Sequence, residues 1–396
     1  MDRQAVAKQA IAAAAGRRIH VLELVGNAIV GGMECWVERL LEHLPRDRFR
    51  ISLICPYEGR FSMAMRALGA DVFCVPMPEE AGWSSVQMVH ALVRSSGVEL
   101  LHAHLPNAHV LAGLVSRLSD VPVLSTIHGR QLTLLDLEVH RAVRSHLSVV
   151  CRHSYYHALG LGVDMRRLSC EPNGVDTRRF HPGPRPSQGL RAQLGLDPAA
   201  ALVGFVGRLS PEKGPEQFLR AVSLLQEGLP EGTRFAMVGE GPMQAQLQAE
   251  LQRLGLRSLV HLAGHWDDMP ALYRELDLLV SSSHSEAMPL AVMEAMASGL
   301  PVIATRVGGL PEIVQHGTSG WLVAARDIED MAARIRLMLD EPALRQRMGA
   351  AARQDVEQRL DLRPSLDRVA ALMQSLARPA HAPHRLEDIS AVGRVL

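Results

Sequence analysis

The feature that most constrains this chain is a regular alternation of short apolar runs with amphipathic helical patterns. The runs RIHVLELV, FRISLIC and DVFCVPM are each followed by a segment whose apolar residues have helical spacing, and the same rhythm continues as far as PVIATRV. This alternation is typical of βαβ units, in which helices connect parallel strands. It predicts an α/β fold made of doubly wound, Rossmann-like sheets.

One interruption of the rhythm predicts two domains. The segment HPGPRPSQG has three prolines and two glycines, as exposed connectors often do. We expect a first Rossmann-like domain over residues 17–181, a linker over 182–197 and a second Rossmann-like domain over 198–361. Residues 362–377 predict a helix that packs back across the domains, and residues 378–396 predict a loosely ordered tail.

Charge and cysteine content argue against several classes of protein. Lysine plus arginine equals aspartate plus glutamate at 42 each, so the chain lacks the basic field that favours nucleic acid. The five cysteines form no CxxC pair, which argues against a disulfide framework or a zinc module. No apolar run approaches the ~20 residues of a membrane-spanning helix. The N-terminal AVAKQAIAAAAG lacks the pattern of a signal peptide, so we expect a cytoplasmic protein, with the inner face of the membrane as a second location.

The strongest motif is SSSHSEAMPLAVMEAMASGLPVIAT, in which Pro289 suits a helix start and Gly299 a helix end. A phosphate at that helix start would meet free backbone N–H groups and the positive end of the helix dipole. Glu286 precedes the helix and Glu294 lies inside it, so the two carboxylates can face opposite sides of a diphosphate, one towards sugar hydroxyls and one towards a ribose. The alternative is an ordinary pair of helix carboxylates.

A second loop in the same half supplies positive charge. In FVGRLSPEKG, Arg208 and Lys213 follow a strand that ends at Gly207, where they could neutralise a leaving diphosphate without a metal ion. Taken alone, such residues are usually surface charges. The neighbouring VGEGP places Gly239 where the backbone either approaches a ligand or makes an ordinary tight turn.

The ordered set of FVGRLSPEKG, VGEGP, AGHWDDMP and SEAMPLAVMEAMASGLPVIATRVGGLPEIVQHGTSGWLV resembles the donor half of family 4 retaining glycosyltransferases, which have the GT-B fold of two Rossmann-like domains facing a central cleft. The resemblance implies a nucleotide-diphosphate sugar as donor substrate and no cofactor. It further implies a donor site, and with Pro289 and Leu290 following the carboxylate it assigns Arg208 and Lys213 to the diphosphate, Glu286 to the sugar, Glu294 to the ribose, and His265 and Trp266 to the nucleobase border.

One departure from the family pattern lies in this motif. The family commonly has Glu-Gly-Phe-Pro where this chain has Glu286, Ala287, Met288 and Pro289, so a Cβ is added where the backbone approaches the sugar. This change bears on which sugar is transferred.

The first half adds GNAIVGGMECWVERL, which resembles the family's GGxE loop near donor phosphates and acceptor through Gly31, Gly32 and Glu34. Glycine pairs are common at any strand-to-helix turn, and the third glycine of a dinucleotide fingerprint is missing. The resemblance also implies that His128, in VPVLSTIHGR, lies beside the transferred sugar as a catalytic residue, although a histidine there is most often structural.

The run LLHAHLPNAH invites two interpretations. Alternation on a strand places His102 and His104 on one face, but no carboxylate or cysteine is evident beside them, so we expect no metal site. The resemblance implies instead that His104 and Asn107 line the acceptor side.

The predicted reaction is transfer of a sugar, with retained configuration, to a hydroxyl of a glycan or lipid-linked acceptor in cell-surface polysaccharide synthesis. The alternatives are a GT-B epimerase or hydrolase of nucleotide sugars, and a non-catalytic nucleotide-sugar-binding protein. The segment LEVHRAVRSHLS is either a basic surface for peripheral contact with anionic lipid or a solvated helix.

Overall fold

The computed structural model describes residues 18–29, 31–78 and 81–378. The alanine-rich N-terminal segment and nearly all of the predicted tail lie outside these residues. The N-terminal half contains a sheet of seven strands: β1 (Ile19–Val25), β2 (Phe49–Cys55), β3 (Asp71–Cys74), β4 (Leu100–His104), β5 (Val123–Ile127), β6 (His146–Val149) and β7 (Leu168–Cys170). The helices that accompany it are α1 (Gly32–His43), α2 (Arg60–Ala67), α3 (Trp83–Ser96), α4 (Pro106–Ser119), α5 (Leu134–Val143) and α6 (Arg152–Gly160).

The C-terminal half contains a second sheet, of six strands: β8 (Leu202–Val206), β9 (Arg234–Val238), β10 (Val260–Gly264), β11 (Leu278–Ser281), β12 (Val302–Thr305) and β13 (Gly320–Val323). Its helices are α7 (Leu190–Gln193), α8 (Pro215–Ser223), α9 (Gln244–Arg253), α10 (Met269–Glu275), α11 (Leu290–Ala297), α12 (Leu310–Ile313), α13 (Ile328–Asp340) and α14 (Pro342–Arg359). A last helix, α15 (Leu362–Leu376), ends the described chain.

The strand order places a topological switch in each sheet. The order is β3-β2-β1-β4-β5-β6-β7 in the first and β10-β9-β8-β11-β12-β13 in the second, with parallel pairing throughout. Successive strands are added on one side of β1 and then on the other side, from β4 onwards, and the same change occurs between β8 and β11. Ligands of such sheets bind beyond the carboxyl ends of the strands at these switch points. The predicted α/β fold of two Rossmann-like sheets is confirmed.

The strands and helices form where local chemistry favours them. The central strands β4 and β5 are buried along their whole length, as expected for a parallel sheet covered on both faces. Helix α4 begins with Pro106 in its first turn, and α5 begins with a capping box in which Thr133 and Asp136 bond each other's backbone amides.

Part of the predicted linker is built into the second half. Within residues 182–197 the short helix α7 forms, and Leu190 at its start is fully buried. The Glu275 carboxylate accepts hydrogen bonds from the amides of Leu190 and Arg191, at 3.1 and 2.7 Å, and the Arg191 side chain pairs with Asp277. A buried carboxylate that satisfies two helix-start amides fixes this turn in place.

Helix α15 returns to the N-terminal half. Its apolar side chains pack in the same core as Trp36 and residues of β1 and β2. The side chains of α15 in this core are Leu362, Leu366, Val369 and Met373. The start of the helix is held by a bridge between Val175 and Asp361. The two halves are therefore joined by two chain crossings rather than one.

Candidate active site

The loops after β8 and β11 meet at the switch point of the second sheet. A Cβ on Gly214 would lie 2.4 Å from the Ser282 carbonyl oxygen, so the two loops touch backbone to backbone at a position with φ +57°. This contact sets the cationic loop against the loop that carries the first glutamate. There the Lys213 ammonium donates to Glu286 Oε1 at 2.7 Å, and the Ser283 hydroxyl donates to the same oxygen at 2.7 Å.

Two further glycines closely approach the loop that carries Glu286. A Cβ on Gly308 would lie 1.7 Å from the Glu286 carbonyl oxygen, and one on Gly309 would lie 2.0 Å from that of Ala287. Ala287 and Met288 are themselves buried, so the residues that depart from the family pattern pack into the protein. The run VGGLPE contained these glycines, but nothing in its spacing indicated which loop they would contact.

The second glutamate is paired across the molecule. Glu294 on α11 is buried, and its Oε1 accepts a hydrogen bond from Arg39 of α1 at 2.7 Å. Its Oε2 accepts from the Tyr273 hydroxyl at 3.1 Å. Sequence reasoning missed both partners, because they come from distant parts of the chain. Each carboxylate oxygen can accept a second hydrogen bond, so Glu294 keeps capacity for further donors.

Arg208, in the cationic loop, lies near enough to Glu34 of the first half for its charge to act there. Its side chain is exposed, and its charge lowers the pKa of Glu34. Glu34, in the first turn of α1 after Gly31 and Gly32, is buried, and burial raises its pKa to about 7 despite that charge and hydrogen bonds to the backbone of Glu34 and Gly31. The structure therefore brings the GGxE loop and the cationic loop together.

Gly239 is explained by packing within the protein. At φ +132°, a Cβ there would lie 2.0 Å from the Gly207 carbonyl oxygen, so the close approach is between two strand ends of the sheet. In the AGHWDDMP loop, His265 is exposed and bonds Asp267 at 3.2 Å, while Trp266 packs against the main core of the second half.

His128 follows β5 and faces a buried polar cluster. Its Nε2 lies 2.9 Å from His104 Nδ1, and its ring centroid is 5.2 Å from that of Trp36. Burial lowers the pKa of His128 well below its usual value, and the charges of His104 and His102 act in the same direction. Its imidazole is therefore neutral at physiological pH.

The expectation that His104 and Asn107 line the acceptor side stays a prediction, and the structure shows what each side chain contacts. His104 is fully buried, because β4 lies inside the sheet, and it contacts His128. Asn107 donates from its side-chain amide to the carbonyl groups of Gly26 and Met77, both at 2.9 Å, and so holds two loops together.

The histidine cluster also contains a carboxylate that sequence reasoning missed. Glu23 of β1 contacts both His102 and His104. His109 lies outside this cluster and forms hydrogen bonds with Asp136 and Ser145. The expectation that no carboxylate accompanies His102 and His104 is wrong, because the neighbouring strand supplies one. An acidic residue inside the apolar run RIHVLELV was the signal for it.

Each half of the chain matches a known family model. The family model described as Glycosyl transferases group 1 matches residues 187–355, and the model described as Glycosyltransferase Family 4 matches residues 30–179. The first of these matches covers β8 to β13 and the second covers β2 to β7. The chain belongs to the group 1 glycosyltransferases. It is therefore a glycosyltransferase that takes its sugar from a nucleotide-sugar donor, as the sequence predicted.

Relatives of this glycosyltransferase act on varied acceptors. It is 27% identical, over 76% of its length and 83% of the relative's, to a UDP-Gal:alpha-D-GlcNAc-diphosphoundecaprenol alpha-1,3-galactosyltransferase of Escherichia coli. It is 29% identical to a D-inositol 3-phosphate glycosyltransferase of Corynebacterium jeikeium, over 84% and 88% of the two chains.

Solved structures show the same fold. Anabaena HepE, solved in complex with UDP-glucose, superposes with a TM-score of 0.81 at 22% identity, covering 90% of this chain and 100% of that one.

Among the helices of the described residues, none has both the length and the apolar character needed to span a bilayer.

Proposed function

We propose that this glycosyltransferase binds the donor diphosphate between the start of α11 and the cations Arg208 and Lys213, with Glu286 on the transferred sugar and Glu294 on the ribose. The observation that carries the proposal is the convergence of Lys213 and Glu286, 2.7 Å apart, at the switch point beside that helix start. The free amides and the two cations supply fixed positive charge where the leaving phosphate develops negative charge. In this proposal the two side chains supply the positive charge at the leaving phosphate that a metal ion would otherwise supply.

The transfer retains configuration at the anomeric carbon. The acceptor hydroxyl oxygen bonds to that carbon on the face from which the phosphate departs, the bond to the leaving phosphate oxygen breaks, and this oxygen takes the acceptor proton. Positioning and fixed charge then carry the reaction without a covalent intermediate. Glu286 fits a sugar-binding role because Lys213 and Ser283 already hold one of its oxygens.

The acceptor is a hydroxyl of a glycan or a lipid-linked glycan. The similarity to a relative whose acceptor is a diphosphoundecaprenol-linked sugar supports this class, and the same relative supports a UDP-sugar as the donor. Cell-surface polysaccharide synthesis at the inner face of the membrane is the corresponding location.

The donor site is tested by calorimetry with free UDP and with UDP-sugars, followed by transfer assays with undecaprenyl-diphosphate-linked acceptors. Lys213→Ala should lower kcat/KM by about 10²–10³, because it removes a fixed charge from the leaving group. Glu294→Gln should weaken binding of free UDP, whereas Glu286→Gln should weaken binding of the UDP-sugar only.

The matched control is Arg253→Ala, which removes an exposed cation on α9 that pairs with Glu250 away from the cleft. Its kinetics should equal those of the wild type. Unchanged kinetics in Lys213→Ala and both glutamine variants would refute the site. Tight donor binding with no transfer to any acceptor would favour a nucleotide-sugar sensor instead.

A further inference from the structure

A continuous chain of hydrogen bonds runs from the interior of the first sheet to His128. Glu23 Oε2 lies 2.9 Å from His102 Nδ1 and 2.8 Å from His104 Nε2, and His104 Nδ1 lies 2.9 Å from His128 Nε2. Glu23, His102 and His104 are fully buried. Burying a carboxylate costs free energy unless hydrogen bonds compensate it, so Glu23 depends on these two histidine contacts inside β1.

The rings of this chain are fixed by their surroundings. His102 Nε2 bonds the Thr126 hydroxyl at 2.8 Å, and the Trp36 ring lies 5.2–6.3 Å from the three histidine rings, measured between centroids. The indole covers the cluster on one side and limits the rotation of each ring. In this arrangement His104 bonds Glu23 through Nε2 and His128 through Nδ1.

Hydrogen bonding explains the spacing of these atoms better than a shared metal ion does. Glu23, His102 and His104 each offer an atom within 4.8 Å of the others. Ligands of a tetrahedral ion bound at about 2.0–2.2 Å lie roughly 3.3–3.6 Å apart, however, and the Glu23 oxygen is 2.8–2.9 Å from each ring nitrogen. These are the lengths of charge-assisted hydrogen bonds.

Proton positions follow from the ends of the chain. Burial favours the neutral form of Glu23, but His102 and His104 outweigh it and lower its pKa to about 2, so the carboxylate only accepts. Burial, reinforced by His102, lowers the pKa of His104 to about 4, so its ring is neutral and carries one proton, on the Nε2 that faces Glu23. His104 Nδ1 then accepts, and His128 must donate from Nε2.

We propose that Glu23 is a positioning residue for sugar transfer, which holds His104, and through it His128, in the tautomer that leaves His128 Nδ1 unprotonated to accept a hydrogen bond from a hydroxyl of the transferred sugar. The inference rests on the proposed function, which puts the transferred sugar at Glu286. The loop that carries His128 meets the Glu286 loop at Gly308, where a Cβ would lie 3.1 Å from Arg130 Cδ and 1.7 Å from the Glu286 carbonyl oxygen. In this tautomer His128 acts as a hydrogen-bond acceptor and not as an acid. The Glu23 carboxylate, two residues removed along the chain of bonds, decides this.

The tautomer is measured directly by long-range proton–nitrogen NMR on the full chain labelled with ¹⁵N-histidine. The chain has 18 histidines, so the His128 signals are assigned by their loss in His128→Ala. In the wild type, His128 should show the neutral Nε2–H pattern from pH 6 to 8. An Nδ1–H pattern there would overturn the proposal without any variant at position 23.

Glu23→Gln tests the role of the carboxylate. An amide can donate as well as accept, so it no longer dictates the proton position on His104. We expect the His128 signals to lose the pure Nε2–H pattern. We also expect kcat with a UDP-sugar to fall by about 10- to 100-fold, the range seen when a partner that orients a reactive group is lost, with KM for the donor changed less than about threefold.

The chain offers a matched control in a second buried histidine–carboxylate pair of the same half. His109 Nδ1 lies 3.0 Å from Asp136 Oδ1, and both residues are buried. Asp136→Asn should lower the melting temperature as Glu23→Gln does, while leaving the His128 tautomer and kcat as in the wild type. A similar fall in kcat in both variants would show general destabilisation and overturn the proposal.

Two other results would also overturn it. One equivalent of zinc in the purified protein, lost in Glu23→Gln, would mean that a metal ion holds the rings. Full kcat in His128→Ala, with the expected tautomer in the wild type, would remove the cluster from catalysis. In that case UDP and UDP-sugar binding by Lys213 and Glu294 variants would still test the donor site separately.

Discussion

Glu34 and Glu286 are both buried carboxylates at the cleft, but their neighbours differ. Glu286 accepts hydrogen bonds from an ammonium group and a hydroxyl at 2.7 Å. Glu34 feels the charge of Arg208, but burial dominates and raises its pKa to about 7. At Glu34, burial therefore outweighs the charge of Arg208.

The raised pKa of Glu34 makes stability depend on pH. The folded protein favours the protonated form, so this contribution is fully present below pH ~4.5 and is lost as the pH rises through about 7. Glu34→Gln imitates the protonated form. We expect the variant to be more stable than the wild type at pH 8, by up to about 3 kcal/mol, and to match it near pH 4.5.

Melting temperatures from pH 4.5 to 8.5 measure this difference. The control is Glu42→Gln, which changes an exposed carboxylate on the same helix and should alter stability by less than about 0.5 kcal/mol at each pH. If the Glu34→Gln and wild-type curves run parallel, burial does not hold the carboxyl group protonated.

At the scale of elements, the site is assembled by loops that touch backbone to backbone. The contacts of Gly214 with Ser282, Gly239 with Gly207, and Gly308 with Glu286 all leave no room for a Cβ. These glycines therefore set the distance between strand ends of the second sheet. Glycine is needed here for close approach, and at all three positions also for a positive φ.

Gly308→Ala should displace the loop that carries Glu286. The added Cβ would lie 1.7 Å from the Glu286 carbonyl oxygen, so one of the two loops must move. We expect kcat/KM to fall at least tenfold, and stability to fall by more than the ~1–2 kcal/mol of left-handed backbone strain alone. Steady-state kinetics and melting temperature measure the two effects.

Gly317→Ala is the matched control. Gly317 also has a positive φ, +80°, but its Cβ would meet only the Trp321 ring, at 4.0 Å. It should lose the strain energy and keep full kcat/KM. Equal kinetics in the two variants would show that the Gly308 contact does not position Glu286.

At the scale of the whole molecule, several contacts join the two halves. Arg39 pairs with Glu294, and the Glu312 carboxylate accepts from the amides of Arg152 and His153 at the start of α6, at 3.0 and 3.2 Å. Of these, the Arg39–Glu294 pair is the most deeply buried, and Arg39 also lies 5.7 Å from the centre of the Phe180 ring. It links α1 of one sheet directly to the proposed ribose-binding helix of the other.

Arg39→Met should open the cleft. It leaves Glu294 buried with only the Tyr273 hydroxyl as a partner, and breaking a buried pair in this way costs roughly 3–5 kcal/mol. We expect a lower melting temperature and a larger radius of gyration by small-angle scattering, because separation of the halves rehydrates the carboxylate. Addition of UDP should reverse part of the expansion.

Tyr273→Phe is the control for this change. It removes a neutral donor from the same carboxylate and keeps the ion pair, so the loss should be about 1 kcal/mol with no change in radius. An unchanged radius in Arg39→Met would mean that the remaining contacts are enough to hold the two halves together.

The sequence by itself determined the fold and the placement of two glutamates around one helix start. Periodicity predicts the two parallel sheets because an apolar strand buried on both faces and an amphipathic helix have different spacings of apolar residues. The spacing of Glu286, Pro289 and Glu294 predicts a carboxylate before a helix start and another inside the helix, because these are local properties of the chain.

Only the tertiary structure decided which distant residues meet. Arg39 and Glu294 are 255 positions apart, and Glu23 and His104 are 81 apart, so no local pattern could join them. Strand order brings β1 beside β4, and that neighbourhood turns an isolated glutamate and a HAH run into one hydrogen-bonded chain that ends at His128. Charge and proton position depend on burial and on such partners, which exist only once the sheets have formed.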